Sequence, residues 1–238
     1  MTAATEATEA TVDVAGNLAG VLRRIATAAD QAGRDGGAVT LVAVAKLHGP
    51  ERILPALEAG YRVFGENRVQ EAAGKWPALK QRFADVELHL VGPLQTNKVK
   101  QAVALFDVIE TVDRPKLARA LAREMAASDR RLPCYIEINT GEEPQKAGVM
   151  PAEADAFVAL CTDELALPVA GLMCIPPFDD EPALHFALLA DIARRNRLTG
   201  LSMGMTADYE TAVRLGATHV RIGTAIFGER PPRTPGSG

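Results

Sequence analysis

Short apolar runs recur along the chain, separated by stretches in which apolar residues lie three or four positions apart. The runs at 40–46, 62–65, 87–91, 108–111, 134–139, 169–174, 200–203 and 219–222 predict eight strands. Runs of this length bounded by turn residues fit buried parallel strands better than helices. Ahead of them Val14, Leu18, Val21, Leu22 and Ile25 recur at helical spacing, which predicts an amphipathic helix over about 12–31, stopped by the glycines near 33–37. Further helical patterns cover 51–59, 116–126, 152–161, 183–195 and 209–215. Repeated strand–helix units specify parallel strands. Eight of them in 238 residues predict an α/β fold, a single closed (β/α)8 TIM-type barrel with an extra N-terminal helix. An open doubly wound sheet is the competitor. It would carry a Gly-rich fingerprint after the first strand, where this chain reads Lys46-Leu47-His48-Gly49-Pro50. The barrel is expected to occupy 12–229, with a disordered N-terminus at 1–11 and a disordered Pro- and Gly-rich tail at 230–238.

Composition narrows the class. Apolar residues make up 47% of the chain, enough for a packed core, and 30 acidic against 26 basic residues give a formal charge of −4. That balance argues against a nucleic-acid or membrane-surface footprint. Cys134, Cys161 and Cys174 lie far apart in apolar runs and read as reduced, buried residues. No stretch reaches spanning length and the acidic N-terminus is unlike a signal peptide, so a soluble cytoplasmic protein is expected.

A barrel places its chemistry at the C-terminal ends of its strands. Alternation along the first strand gives Val42, Val44 and Lys46 one face and Leu41, Ala43 and Ala45 the other. If the second face packs beneath helices, Lys46 turns into the barrel mouth; a lysine that snorkels from a strand end is the ordinary alternative. The same parity on the last strand turns His219, Arg221 and Gly223 inward. A guanidinium in a barrel needs an acid or a ligand; the ordinary reading is a buried ion pair, for instance with Glu137, whose parity also allows an inward side chain. Ser202-Met203-Gly204-Met205 and Gly223-Thr224 follow the last two strands, where barrels commonly seat phosphate on small residues and free backbone N–H groups. A phosphate cradle, an amine and an inward arginine are what pyridoxal phosphate asks of a protein. Burial beside Arg221 is expected to lower the pKa of Lys46, as attack on an aldehyde requires. The four histidines, His48, His89, His185 and His219, form no metal-binding pattern, and no serine nucleophile elbow is present.

With these residues placed, the chain closely resembles the pyridoxal phosphate homeostasis protein family, also called the YggS/PROSC family. The resemblance is carried by Leu41-Val42-Ala43-Val44-Ala45-Lys46, Phe64-Gly65-Glu66-Asn67-Arg68-Val69-Gln70-Glu71, His89-Leu90-Val91-Gly92-Pro93-Leu94-Gln95-Thr96-Asn97-Lys98, Ile138-Asn139 through Lys146-Ala147-Gly148, Gly171-Leu172-Met173, Leu201-Ser202-Met203-Gly204-Met205 and Val220-Arg221-Ile222-Gly223-Thr224. It implies a barrel like the N-terminal domain of alanine racemase, a fold-type-III arrangement without the second β domain. It implies pyridoxal 5'-phosphate held by Lys46 as a Schiff base, phosphate contacts from Ser202, Gly204, Gly223 and Thr224 with Met203 beside them, and places for Asn67 and Arg221 around the ring. No catalytic residue and no metal are implied. The family resembles a cofactor carrier that stores or delivers the cofactor, with apo-enzymes as recipients and effects on amino-acid metabolism.

The chain departs from the family pattern at three places: Ala45 stands where a serine is usual, His48 where a second lysine is frequent, and Leu88 where an aromatic is common. Cofactor exchange through a second lysine at 48 is therefore not carried over. Lys146 matches a family lysine able to hold the cofactor transiently, though an exposed loop lysine is the ordinary reading. The alternative function is a cofactor-dependent amino-acid racemase. Against it, the chain stops just past the last strand, without the second domain that supplies an opposing base; a monomer is expected for the same reason.

Overall fold

Residues 12–229 are described in a computed structural model; the two terminal expectations, at 1–11 and 230–238, lie outside the described residues. Eight strands, β1 (Thr40–Val44), β2 (Val63–Glu66), β3 (Glu87–Leu90), β4 (Val108–Val112), β5 (Cys134–Ile138), β6 (Val169–Cys174), β7 (Gly200–Ser202) and β8 (His219–Ile222), close a barrel in chain order. Every neighbouring pair is parallel, and β8 returns to β1 with Arg221 opposite Val42 and His219 opposite Thr40. The predicted TIM-type barrel is the observed fold.

Helix α1 (Val14–Gln31) precedes β1, and α2 (Pro50–Glu58), α3 (Val69–Arg82), α4 (Val99–Leu105), α5 (Pro115–Ser128), α6 (Ala154–Ala159), α7 (Pro182–Arg195), α8 (Tyr209–Arg214) and α9 (Thr224–Phe227) each follow one strand. The extra helix α1 starts where Asp13 accepts a hydrogen bond from the Gly16 N–H. Its buried stripe Val14, Leu18, Val21 and Ile25 packs against α8 and α9. Three helices, α3, α4 and the short α9, lie beyond the named periodicities. Helix α3 carries Gly74 and Pro77 in its interior, both poor helix formers, and its buried face includes a lysine, Lys75. Those residues blur the apolar stripe on which a sequence reading depends.

The strands divide the apolar residues as alternation predicts. Leu41, Ala43 and Ala45 on β1 and its extension, with Val220 and Ile222 on β8, join the large cluster beneath the helices. Val42, Val44 and Val91 form a separate small cluster inside the barrel, and Val108, Tyr135 and Met173 form another. Polar residues take the other key inward positions: His89, Glu110 and Ser202 are fully buried and Arg221 is 4% exposed. So the barrel axis is lined by charge where most barrels stack branched aliphatic residues.

Candidate functional site

Strand β1 ends at Val44, two residues short of the predicted end, and Lys46 sits on the turn that follows. Ala45 N–H still donates to Gly65 O at 2.9 Å, so the chain keeps its place beside β2 before it turns. Leu47, directly after Lys46, has φ 65°, a left-handed conformation that costs a non-glycine residue on the order of 1–3 kcal/mol. The half-buried Lys46 lines a cavity of about 780 Å³ at the C-terminal ends of the strands. Asn67, Arg221, Gly223 and Thr224 line the same cavity.

Arg221 reaches this wall from a built support. Its guanidinium donates to Ser202 Oγ at 2.7 Å and to the Cys174 carbonyl at 2.8 Å. The sequence expectation of a Glu137 partner is corrected: the hydrogen bonds of the guanidinium go to neutral oxygens, and burial pushes the Glu137 carboxyl up to about 7, with the Asp113 charge adding and Arg221 offsetting in part. The countercharge comes through Ser202, whose hydroxyl donates to Glu110 Oε2. Glu110 Oε1 receives His89 Nδ1 at 2.6 Å, and His89 Nε2 meets Glu87 Oε1 at 2.7 Å. An imidazole with a carboxylate on each ring nitrogen is a double donor, hence a cation. Burial works against that charge, but the Glu110 and Glu87 hydrogen bonds outweigh it and lift His89 to about 9. Burial likewise opposes the Glu110 charge, and His89 with Arg221 overcomes it, holding the carboxyl at about 2. A chain of charges runs from Glu87 at the barrel base, through His89, Glu110 and Ser202, to Arg221 in the cavity wall.

The structure brings together Lys46, Asn67, Arg221, Gly223 and Thr224. It keeps Ser202, Met203 and Gly204 out of the cavity lining, all three buried. Ser202 is taken up by Arg221 and Glu110. Gly204, at φ 95°, receives the Arg221 N–H on its carbonyl, and a Cβ there would come 2.6 Å from Ala212 Cβ; it is a close-approach glycine. Gly223 leaves room for Val44 O, which a Cβ would approach to 2.9 Å. Between them the wall is built by residues the sequence reading did not name as site residues: Thr206, Ala207 and Asp208 after β7, and Pro176 to Phe178 after β6. Asp208, which accepts from Met205 N–H and precedes α8, was a readable cap signal for the first of these loops. Pro176-Pro177 after an apolar strand marked the second as an ordered loop. His48 and Lys146 also face the cavity. Burial first, then the Arg52 and Lys75 charges, lower the His48 pKa, so it stands as a neutral imidazole. Lys146 pairs with Glu143.

The donor set is an amine, a guanidinium, a carboxamide and a hydroxyl beside a helix start whose first N–H groups have no intrahelical acceptor. It suits a ligand carrying both an aldehyde and an anion. The described residues contain no group of three or more potential metal ligands. Comparison with known proteins decides the family. Residues 17–231 match the family described as alanine racemase, N-terminal domain. The pyridoxal phosphate homeostasis protein of Escherichia coli K12 is 37% identical over 227 residues, 92% of this chain and 97% of that protein. The chain belongs to the pyridoxal phosphate homeostasis protein family. A second member, from Pseudomonas aeruginosa, is 39% identical over 233 residues, covering 94% of this chain and 99% of its own. The structure of PipY from Synechococcus elongatus with PLP bound superposes with a TM-score of 0.78 at 34% identity, over 91% of this chain and all of that one (100%). Alanine racemase from Corynebacterium glutamicum shares the fold, with a TM-score of 0.61 at 22% identity, over 88% of this chain and 60% of the racemase.

Proposed function

We propose that this family member is a single barrel domain over 12–229 that binds pyridoxal 5'-phosphate and serves vitamin B6 homeostasis by storing or delivering it. The observation that carries this reading is one cavity wall bearing Lys46, Arg221, Gly223 and Thr224 together, in a chain 34% identical to PipY, whose structure has PLP bound. When bound, the cofactor supplies an aldehyde that condenses with a primary amine, C=N replacing C=O as water leaves. Lys46 supplies that amine. Arg221, fixed by Ser202 and Cys174, presents a permanent cation to the ring side of the cavity. Gly223 and Thr224 offer backbone N–H groups and a hydroxyl to the phosphate, and Asn67 closes the remaining side. Ser202, Met203 and Gly204 support this wall from beneath. Apo forms of cofactor-dependent enzymes are the recipients, the protein acts as a monomer, and its setting is the cytoplasm; no helix among the described residues is long and apolar enough to cross a membrane.

The test is covalent loading. Purified protein incubated with pyridoxal phosphate acquires the visible absorption of the lysine adduct, and Lys46→Ala abolishes it; an unchanged spectrum in that variant overturns the assignment. A racemase reading draws on one observation, the neutral His48 imidazole in the cavity wall, a base besides Lys46. Isotope exchange at Cα across a panel of amino acids separates the two. Turnover of about 1 per second or more, ordinary for enzymes, replaces the carrier with a racemase.

A further inference from the structure

Lys75 lies on α3, well outside the cavity lining, yet it is only 7% exposed. Its ammonium donates to Ala45 O at 2.9 Å and His48 O at 2.8 Å, the carbonyls that bracket Lys46 and Leu47. It also meets Glu71 Oε1 at 3.0 Å and Glu66 Oε1 at 2.7 Å. Glu71, one helical turn before Lys75 on α3, accepts the Leu47 N–H at 2.5 Å. Glu66 is locked in turn by Trp76 Nε1 at 2.9 Å. Two side chains of α3, Lys75 and Glu71, therefore grip the backbone around the one residue in the turn that faces the cavity with an amine, and Glu66 of β2 pairs with Lys75 from behind.

The grip coincides with strain. Leu47 holds its left-handed φ of 65° between the two carbonyls that Lys75 binds. Such a conformation persists only when its surroundings over-determine it, and it is found where a site must be held in one geometry. A buried lysine is also costly unless paired, so its placement under a turn of backbone carbonyls calls for a use beyond packing.

We infer that Lys75, with Glu71 and Glu66, is a positioning residue: it holds the strained turn 45–48 so that Lys46 is aimed into the cavity for attack on the cofactor aldehyde. This rests on the reading of Lys46 as the attachment lysine. A relaxed turn would leave the phosphate and ring contacts intact, since those come from β8 and its following turn, while the amine loses its approach to the carbonyl carbon.

The experiment separates aim from binding. Adduct formation is timed by stopped-flow absorbance with pyridoxal phosphate, and non-covalent binding is titrated with pyridoxine 5'-phosphate, which carries an alcohol in place of the aldehyde. In Lys75→Met the adduct rate falls on the order of a hundredfold, as expected for a reacting group displaced by about 1 Å. The affinity for pyridoxine phosphate stays within about twofold, because contacts remote from the turn are untouched. Lys75→Arg, which keeps charge and donors, recovers part of the rate. If Lys75→Met does not fold, Glu71→Ala decides, since it frees the Leu47 N–H from a partly exposed position and should show the same split to a smaller degree. A wild-type adduct rate in the folded variant, or equal loss of rate and of pyridoxine phosphate affinity, overturns the inference. Wild-type protein that binds pyridoxine phosphate but forms no adduct, or adduct that survives Lys46→Ala, refutes the function reading instead.

Discussion

Glu66 and Glu110 are both fully buried carboxylates at barrel strands, and they are treated in opposite ways. Glu110, on the axis, has each oxygen matched, by His89 and by Ser202, and its carboxyl is held at about 2. Glu66, between the barrel and α3, has one oxygen crowded by Lys75 and Trp76 while Oε2 has no partner. Burial pushes its carboxyl up to about 7, with the Lys75 charge and the Lys75 and Trp76 hydrogen bonds offsetting that only in part. Burial alone therefore does not set the charge of a carboxylate; the cations and hydrogen-bond donors that meet it do. The axial chain is a stable ionic network that supports Arg221, whereas the peripheral one is a clamp whose carboxylate is nearly balanced between its two forms.

The sharpest way to break this contrast is Glu110→Gln. It leaves His89 and Arg221 as buried cations without their shared anion, and a loss of about 3–5 kcal/mol in urea-denaturation stability at neutral pH is expected. The pH profile carries the same signature. Glu110, depressed from 4.5 to about 2, contributes stability that is present above 4.5 and lost as pH falls toward 2. His89, raised from 6.5 to about 9, contributes stability that is present below 6.5 and lost as pH rises through 9. Both limbs should flatten in the variant; a profile unchanged from wild type would show that the network does not carry the charge assigned to it.

Ser202→Ala comes next. It removes the hydroxyl between Arg221 and Glu110, leaves a buried donor and a buried acceptor without partners, and should cost about 1–3 kcal/mol by the same measurement. It should also weaken pyridoxine phosphate binding through the released Arg221, a readout that packing alone would not move. The smallest effect belongs to Glu66→Gln measured at or below about pH 4.5, where it shifts stability by less than about 1 kcal/mol, because there a neutral amide replaces a carboxyl that is already protonated. With a folded value near 7 against 4.5 when unfolded, Glu66 binds its proton more tightly in the folded state. Wild-type stability therefore falls as pH rises from 4.5 through 7, and the variant loses part of that fall. Glu137, also pushed up to about 7, retains the remainder. A large loss of stability in Glu66→Gln would erase the distinction between the two carboxylates.

How much of this was legible follows the range of the interactions involved. Alternation placed Val42, Val44 and Arg221 on inward faces because a strand's period of two is local, and the observed clusters divide along the same line. It aimed Lys46 at the mouth as well, although β1 ends at Val44 and the turn does the aiming. The partner of Arg221 stayed open between a ligand and an acid such as Glu137, since parity says which residues face inward but not which of them share a height on the axis. Lys75 was missed for a different reason: a lysine in a helix with Gly74 and Pro77 reads as surface, and the carbonyls it binds lie about 30 positions earlier.

The sequence by itself determined the eight strands, their parallel order, the inward faces of β1 and β8 and the family, because these rest on periodicity and on contiguous motifs. The tertiary structure alone decided that Ser202 links Arg221 to Glu110, that Ser202, Met203 and Gly204 are buried, and that Lys75 grips the turn of Lys46. Each of these depends on how strands of a tilted barrel come level with one another and on which helix covers which turn, and distance in space of that kind is not written in the spacing of residues along a chain.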